Sequence, residues 1–439
     1  MSEQPERPGG TPDDAPLAGI RVLEYAQYVA GPLATMLLAD LGADVIKVEP
    51  PSGDAWRHYA PIAPDESLAF YALNRNKRSV VLDLKSPEGR EMSDRLVSTA
   101  DAVVHNLPVA RAASFGLDRE SVRRRNPKAV WSWVSAFGGD GPDAGKLGYD
   151  LIAQAVSGLL MADVRETDDV PRRSGGIPMA DIAAGILCCA GVLAGLFARA
   201  AGEAPGIEVS LLGAALLTQA QKVSSLHGAL DPVVAPAAVT PAGLAAAASE
   251  IGRGEELEPY YRCYETSDGY VALACLNVRQ RRQLLAVLGL TDPWVGNPQS
   301  DPVDEVERAT RKGYVALFAA VFRGRSSSEW LSILSDRQIP VAEVRDLAQA
   351  LERDQVRANG LVQSVHQPGI GPVRVLGNLF KLGGRAAPAR RPAPLLGEHD
   401  GEVLGPLTSA PMRERPPRLR SSPAPAPAPA RAEDVHPPC

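Results

Sequence analysis

One stretch limits the folds open to this chain more than any other. It is Ser174–Gly202, SGGIPMADIAAGILCCAGVLAGLFARAAG, in which a single carboxylate, Asp181, precedes an apolar run that carries no charge before Arg199. A run of this kind either crosses a membrane or lies inside a core. A spanning helix needs about 20 apolar residues; Ile182–Ala198 is a little shorter and rich in Ala, Gly and Cys. Its Gly191-x-x-x-Gly195 spacing lets another backbone approach closely, so the run reads as a helix buried in a globular core. Gly175, Gly176 and Pro178 deliver the chain to Asp181. Two readings of that carboxylate stand side by side. Asp is a preferred N-cap residue and can simply cap the helix. Alternatively, the free N–H groups and positive dipole end of the helix favour its ionised form, and an ionised carboxylate in an apolar setting is a potential nucleophile.

The length of 439 residues exceeds what one ordinary core holds, which predicts two domains, or one large and one inserted. A net charge of −6 argues against nucleic acid or an anionic membrane as partner. The five cysteines form no CxxC pair and no Cys/His metal spacing, so no metal site and a reducing, cytoplasmic compartment are expected. The polar, acidic start, MSEQPERPGGTPDDAP, lacks the pattern of a signal peptide.

Taken in order, residues 1–17 read as a disordered leader. A strand is expected at Ile20–Tyr25, a loop at Ala26–Gly31, a helix at Leu33–Leu41 and a strand at Ala43–Glu49, which together make a βαβ unit. Glu49 stands where an acid could bind a ribose, but the first loop, Ala26-Gln-Tyr-Val-Ala-Gly-Pro32, lacks the G-x-G-x-x-G of a dinucleotide site. The alternation continues with strands at Ser79–Leu84, Asp101–His105 and Ala129–Ser135, and with helices opened by Ser86-Pro87 and by Asp118. Repeated strand–helix units predict an α/β fold with a Rossmann-like parallel sheet, and ligands bind such sheets at loops beyond the strand C-termini. The loops at 26–32, 85–86, 105–111 and 137–150 are the places to look. After a strand at Gly206–Ser210 and a helix at Leu211–Lys222, the Ala/Pro-rich Pro232–Ser249 reads as a linker. A hairpin over Glu258–Cys275, turning at Ser267-Asp-Gly269, and helices at 278–288 and 303–322 define a smaller inserted α+β domain at 223–330. Residues 331–405 read as a return to the large domain of 18–222, through a helix at Glu329–Gln338, a strand at Val341–Val344, a helix at Asp346–Asn359 and strands over Leu361–Leu376. Residues 406–439, with PAPAPAPA, read as a disordered tail.

An ordered set of blocks resembles the class III CoA-transferases, the CaiB/BaiF family. It comprises Leu17-Ala-Gly-Ile-Arg-Val-Leu-Glu24, Ala30-Gly-Pro32, Leu41-Gly-Ala-Asp-Val-Ile-Lys-Val-Glu49, Gly53-Asp54 and Asn74-Arg-Asn-Lys-Arg-Ser-Val-Val-Leu-Asp-Leu-Lys85. It continues with Ala100-Asp-Ala-Val-Val-His-Asn106, Gly148-Tyr-Asp150, Gln154-Ala-Val-Ser-Gly158, Ser267-Asp-Gly-Tyr-Val-Ala-Leu273 and Ala393-Pro-Leu-Leu-Gly397. The blocks cover most of residues 17–405. The resemblance implies an acyl-CoA:carboxylate CoA-transferase with no permanently bound cofactor, and an interlocked, ring-like homodimer. It implies that Asp181, followed by Gly185, is the nucleophile that carries CoA through mixed-anhydride and aspartyl-thioester intermediates. Asp163, Asp168 and Asp169 read instead as solvated loop charges.

For CoA the resemblance points to Val29 and Ala30, to Leu82, Asp83, Leu84 and Lys85, and to Asn106 and Leu107. Relatives often carry Arg where this chain has Pro50 and Ser114, and Arg111 is the nearby substitute. Formyl-CoA transferases carry Gln where Val29 stands, which argues against oxalate as acceptor. Substrate-pocket candidates are Tyr149, Asp150, Gly252 and Gly254, with Gly175-Gly176 and Gly252-Arg-Gly254 as oxyanion segments or ordinary turns. The α-methylacyl-CoA racemases of the same superfamily need a His at the position of Tyr149, so transfer is expected over racemisation, with a non-catalytic CoA-binding protein as the remaining alternative.

Overall fold

The computed structural model describes residues 15–162, 170–199, 202, 204–225, 257–298, 302, 304–377, 379–382, 385–386 and 389–408. The chain begins with β1 (Arg21–Tyr25), α1 (Ala30–Asp40) and β2 (Asp44–Glu49). A small hairpin, β3 (Pro61–Ala63) and β4 (Glu66–Ser67), leads through α2 (Leu68–Asn74) to β5 (Arg78–Val81). Next come α3 (Pro87–Thr99), β6 (Ala102–His105), α4 (Val109–Ser114), α5 (Arg119–Arg125) and β7 (Val130–Ser135). The first part closes with α6 (Asp150–Val156), α7 (Met179–Ala198), β8 (Gly206–Ser210), α8 (Leu211–Leu217) and α9 (Ala220–Ser225). Side-chain caps fix several starts: Ser86, Asp118 and Ser210 each accept a backbone N–H three residues on.

Six of the strands form one parallel sheet in the order β5-β2-β1-β6-β7-β8. The chain winds outward from β1 to β5, then returns beside β1 at β6 and winds the other way. Such a reversal opens a crevice beyond the strand carboxyl ends, here between β1 and β6. Both faces are covered. Val22, Val104 and Val130 pack with Leu38, Ala184, Cys188 and Ala214, while Leu23, Val103 and Trp131 pack with Leu96, Val97 and Val122. Coverage on both sides is why these strands read as apolar runs rather than alternating ones.

One group of charges within that core ties three elements together. Glu24 and Lys47 lie side by side on β1 and β2, and Lys77 precedes β5; all three are fully buried. Lys47 Nζ is 2.7 Å from Glu24 Oε1, Lys77 Nζ is 2.8 Å from Glu24 Oε2, and the Thr35 hydroxyl of α1 donates to Glu24 Oε2 at 2.6 Å. Burial works to raise the Glu24 pKa, but the two ammonium groups outweigh it and hold the carboxyl at about 2.

Helix α7 is long and apolar enough to cross a membrane by length and composition. Its small residues serve two kinds of neighbour. A Cβ on Gly185 would stand 2.8 Å from the Ala30 carbonyl oxygen, so the close backbone approach is to α1. A Cβ on Gly191 would meet Ile207 Cγ2 at 2.6 Å, and one on Gly195 would meet Val130 Cγ1 at 2.6 Å. The Gly191/Gly195 pair therefore receives sheet side chains, not the second backbone expected from the sequence.

A second sheet, ordered β11-β10-β9, comprises the expected hairpin β9 (Tyr261–Glu265) and β10 (Tyr270–Ala274) with β11 (Val341–Glu343). Helices α10 (Val278–Leu288), α11 (Glu305–Phe322) and α12 (Ser327–Ser335) pack on it around Tyr264, Phe318, Phe322, Trp330, Leu334 and Ile339. The inserted domain thus runs past residue 330, because Trp330 and Leu334 complete its core and β11 pairs with β10.

Other expectations are adjusted too. Two short, separately started helices, α13 (Leu347–Leu351) and α14 (Asp354–Ala358), replace the single one expected at 346–359. The Leu211–Lys222 helix divides into α8 and α9, and α1 starts at Ala30 rather than Leu33. The hairpin β12 (Val362–Gln367) and β13 (Gly371–Leu376) packs Val373 and Val375 on Phe70 and Tyr71 of α2.

The last helix, α15 (Asp400–Thr408), contains Pro406 and returns to the first sheet, so the expected tail begins later than 406. Along the outer edge of β5, Ser79 N–H donates to His399 Nδ1 at 3.3 Å and Val81 N–H to Asp400 Oδ1 at 2.8 Å. In return His399 N–H donates to the Ser79 carbonyl at 3.0 Å. At the other end Leu17 N–H donates to the Leu41 carbonyl at 3.0 Å, so the expected leader is ordered at its last residues. The remainder of the leader and tail, and the linker at 232–249, lie outside the described residues.

Because the Gly185 approach is backbone to backbone, Gly185→Ala should destabilise by about 1–3 kcal/mol, as overpacking does. Gly313→Ala, in exposed α11 with open space around it, should instead stabilise by about 0.5–1 kcal/mol. Thermal unfolding of the two variants checks the opposite signs.

Candidate active site

Asp181 lies in the first turn of α7, but it is not the residue that caps the helix. That task falls to Asp150, the first residue of α6. Asp150 Oδ1 accepts the Ala180 N–H at 3.0 Å and the Asp181 N–H at 3.3 Å; Oδ2 accepts Gln154 Nε2 at 2.8 Å. Arg173 Nη1 lies 3.5 Å from the same Oδ2. Since Asp150 supplies the acceptor, the Asp181 carboxyl is left out of the cap and points its chemistry elsewhere.

The electrostatics reverse the expectation that the helix start favours an ionised Asp181. Burial, and after it the neighbouring Asp150 charge, push its pKa up to about 7, against an opposing pull from Arg173. A carboxyl with its pKa there changes charge near neutral pH.

The crevice between β1 and β6 adjoins this carboxylate pair. Gln27 N–H donates to Asn106 Oδ1 at 3.1 Å and Asn106 Nδ2 donates to the Gln27 carbonyl at 2.8 Å, so one amide side chain bridges the point where the strand order reverses. The next residue, Tyr28, has φ 70°, a left-handed conformation that a bulky side chain holds only when its surroundings impose it. Those surroundings are visible. Tyr28 N–H donates to Asp54 Oδ1 at 3.3 Å, Asp54 Oδ2 lies 2.7 Å from Lys47 Nζ, and Lys47 also donates to the Ala26 carbonyl at 2.8 Å. The Tyr28 ring meets Trp56 and Tyr149 edge-on, with centroids 5.6 and 5.4 Å apart. Tyr149 immediately precedes Asp150 and is well exposed, so Tyr28 joins the crevice to the Asp150–Asp181 pair.

The other sequence candidates sort by place. Val29 and Ala30 are buried at the start of α1, and Asn106 and Leu107 are half-buried just after β6. Leu82 is buried, Leu84 half-buried, and Asp83 and Lys85 exposed, all just after β5; Arg111 is exposed on α4. Parallel strands put these segments on one edge of the sheet. Hydrogen bonds and ring contacts join residues 27, 28, 54, 106 and 149, whereas Lys85 N–H bonds only locally, to Asp83 Oδ1. Gly175 and Gly176 have φ 57° and 69°, and the Gly176 N–H is committed to the Arg173 carbonyl at 3.2 Å. Gly252 and Gly254, with Asp163, Asp168 and Asp169, lie outside the described residues. Among the described residues no cluster of three or more His, Cys, Asp or Glu side chains is placed to hold a metal ion. Sequence reasoning gave no role to Tyr28, Gln154 or Arg173. The role of Asp54 has no local signature, because its bond to Tyr28 spans 26 positions.

Comparison with known proteins gives the family of the chain. The family model described as CoA-transferase family III matches residues 17–400. A succinate–glutarate CoA-transferase of Agrobacterium fabrum is 33% identical over 433 residues, covering 93% of this chain and 98% of the relative. An acetyl-CoA:oxalate CoA-transferase of Acetobacter aceti is 31% identical, with 93% and 98% covered. Among solved structures, Rv3272 from Mycobacterium tuberculosis aligns with a TM-score of 0.72 at 26% identity, over 89% of this chain and 99% of that one. A CAIB/BAIF family protein from Brucella suis aligns with a TM-score of 0.71 at 28% identity, over 90% and 99%.

The Asp181 carboxyl should titrate near pH 7 in the free protein. Asp150→Asn removes the second cause of the upward shift and leaves burial, so the midpoint should fall while staying above the ordinary aspartate range. Carbon-13 spectra of aspartate-labelled protein, assigned with Asp181→Asn, read this directly. A midpoint unmoved by Asp150→Asn would refute the electrostatic coupling.

Proposed function

Since the chain belongs to CoA-transferase family III, we propose that Asp181 is the covalent nucleophile with which it moves coenzyme A from an acyl-CoA to a free carboxylic acid. The observation that carries this reading is the exclusion of the Asp181 carboxyl from the helix cap, beside the crevice, with a pKa near neutrality. Moving CoA between two acids exchanges one thioester for another, so the net reaction needs no oxidant or reductant. The ionised Asp181 oxygen attacks the thioester carbonyl; the C–S bond breaks and CoA leaves as a thiolate, giving a mixed anhydride. The thiolate then attacks the Asp181 acyl carbon and releases the donor acid as its carboxylate, leaving an aspartyl-CoA thioester. The acceptor carboxylate runs the same two steps in reverse. This divides one difficult transfer into easier ones.

The neighbouring residues have distinct tasks in this scheme. Asp150 holds the start of α7 and, through its charge, keeps Asp181 basic enough to attack. Asn106 and Asp54 fix the 26–30 loop against which CoA lies. The Ala180 and Asp181 N–H groups are occupied by Asp150, so the turn at Gly175 is the better candidate for steadying an oxyanion. The relatives' names, succinate–glutarate and acetyl-CoA:oxalate CoA-transferase, support carboxylic acids as both donor and acceptor groups. We also assign the chain to a homodimer: Leu151, Ile152, Val156, Ile186 and Phe197 on α6 and α7 are exposed apolar side chains that a second copy would cover.

The test is to incubate the protein with a panel of acyl-CoA thioesters, trap with hydroxylamine or borohydride, and read the peptides by mass spectrometry. Modification should appear on the peptide containing Asp181. Asp181→Ala should lower transfer by about 10³-fold or more while leaving the fold intact. Full activity in that variant, or solvent deuterium entering the α-carbon without CoA exchange, would overturn the reading.

A further inference from the structure

We propose that Arg173 is a specificity residue: it takes the second, non-reacting carboxylate of a dicarboxylic acid whose first carboxylate reacts at Asp181. The inference rests on the reading of Asp181 as nucleophile and adds the class of acid to it.

The start of α7 concentrates negative charge. Asp150 and Asp181 lie together, and an acceptor acid brings more. Arg173 is a cation that acts on Asp181, and its guanidinium also faces Asp150. The Arg173–Asp150 contact is nonetheless a loose one. At 3.5 Å it lies beyond the usual range of an N–H···O bond. The Arg173 side chain is 38% exposed, whereas Asp150 is almost fully buried.

Asp150 does not depend on that contact. Two backbone N–H groups and Gln154 Nε2 already satisfy its carboxylate at 3.0, 3.3 and 2.8 Å. Drawing Arg173 away therefore strands no buried charge, which is the usual obstacle to moving one member of an ion pair. The remaining guanidinium donors, Nε and Nη2, make no hydrogen bond among the described residues. They form the planar fork that matches a carboxylate through two parallel bonds. Gly175 and Gly176, both in the left-handed region, then turn the chain from Arg173 to Asp181. The result is an anion-binding fork one short turn of chain from the reacting carboxylate. Such an arrangement selects acids with two carboxylates, and it selects among them by the length of chain between the two.

The experiment compares the wild type with Arg173→Gln and Arg173→Lys, using an acyl-CoA donor already seen to label Asp181. Acceptors are succinate, glutarate and adipate, each against the monoacid of equal carbon number: butyrate, valerate and hexanoate. The wild type should prefer diacids, with an optimum at one chain length. In Arg173→Gln the ratio of diacid to monoacid kcat/KM should fall by about 10- to 100-fold, mainly through KM, since a hydrogen bond to a charged group is lost. Arg173→Lys should recover part of the ratio but blunt the chain-length optimum, because an ammonium is a point charge rather than a fork. Thermal unfolding midpoints of the three proteins check that folding is intact. Equal losses for monoacids and diacids would overturn the proposal, as would an unchanged ratio or a wild-type preference for monoacids. These failures differ from failure of the nucleophile reading, which would show as no donor labelling Asp181 at all.

Discussion

The buried ion cluster around Glu24 is the interaction on which the rest of this structure rests. One carboxylate on β1 meets two lysines, from β2 and from the segment before β5, and the hydroxyl of Thr35 on α1. Lys47 extends the cluster to Asp54 and to the Ala26 carbonyl, and Lys77 extends it to the Pro32 carbonyl and to Asn74. An exposed pair such as Arg323–Glu265 contributes about 0–1 kcal/mol. Removing one member of a buried set leaves a stranded charge, at about 3–5 kcal/mol. The cluster is therefore less a source of stability than a constraint. It admits one arrangement of sheet, helix and loop, and that arrangement imposes the left-handed conformation of Tyr28.

The same logic, in which one carboxylate does the structural work so that another is free, recurs at α7. An aspartate in the first turn of a helix ordinarily gains from the helix N–H groups and ionises easily. Here Asp150 takes those groups, and Asp181 is left with burial and a like charge for company. Its affinity for a proton rises accordingly, towards that of a base useful at neutral pH. The cost falls on the resting protein, where the two carboxylates repel. Arg173 relieves part of that repulsion.

Much of the large sheet was legible because parallel strands covered on both faces leave continuous apolar runs, and because Ser86 and Asp118 announce the helices they cap. The Ser267-Asp-Gly269 turn announced its hairpin for the same local reason. What escaped was short or distant. Helices α2 and α6 are each seven residues long, too brief for a periodic face to show. The boundary at 330 failed because Trp330 and Val341 find their partners on a hairpin some seventy positions earlier in the chain. At the candidate site, the position of Asp181 at the start of a long apolar helix was legible. Its protonation was not, since the decisive neighbour, Asp150, stands 31 positions away. The Asn106 bridge to Gln27 spans 79 positions, and no local pattern around either residue signals it.

The hook at the far end of the chain has a consequence in time. β5 is an edge strand, and unpaired edge groups are a template for wrong pairing. Its outward N–H groups at Ser79 and Val81 are closed by His399 and Asp400, and the Val81–Asp400 bond joins residues 319 positions apart. Chains grow at about 5–20 residues per second, so this edge stays open on the ribosome for roughly 16–64 s after it is made. From the completion of α8 at Leu217 onward, the first sheet has its core but not its border. The inserted domain must be synthesised, and kept from the open strand, before the last turn of chain arrives to seal it.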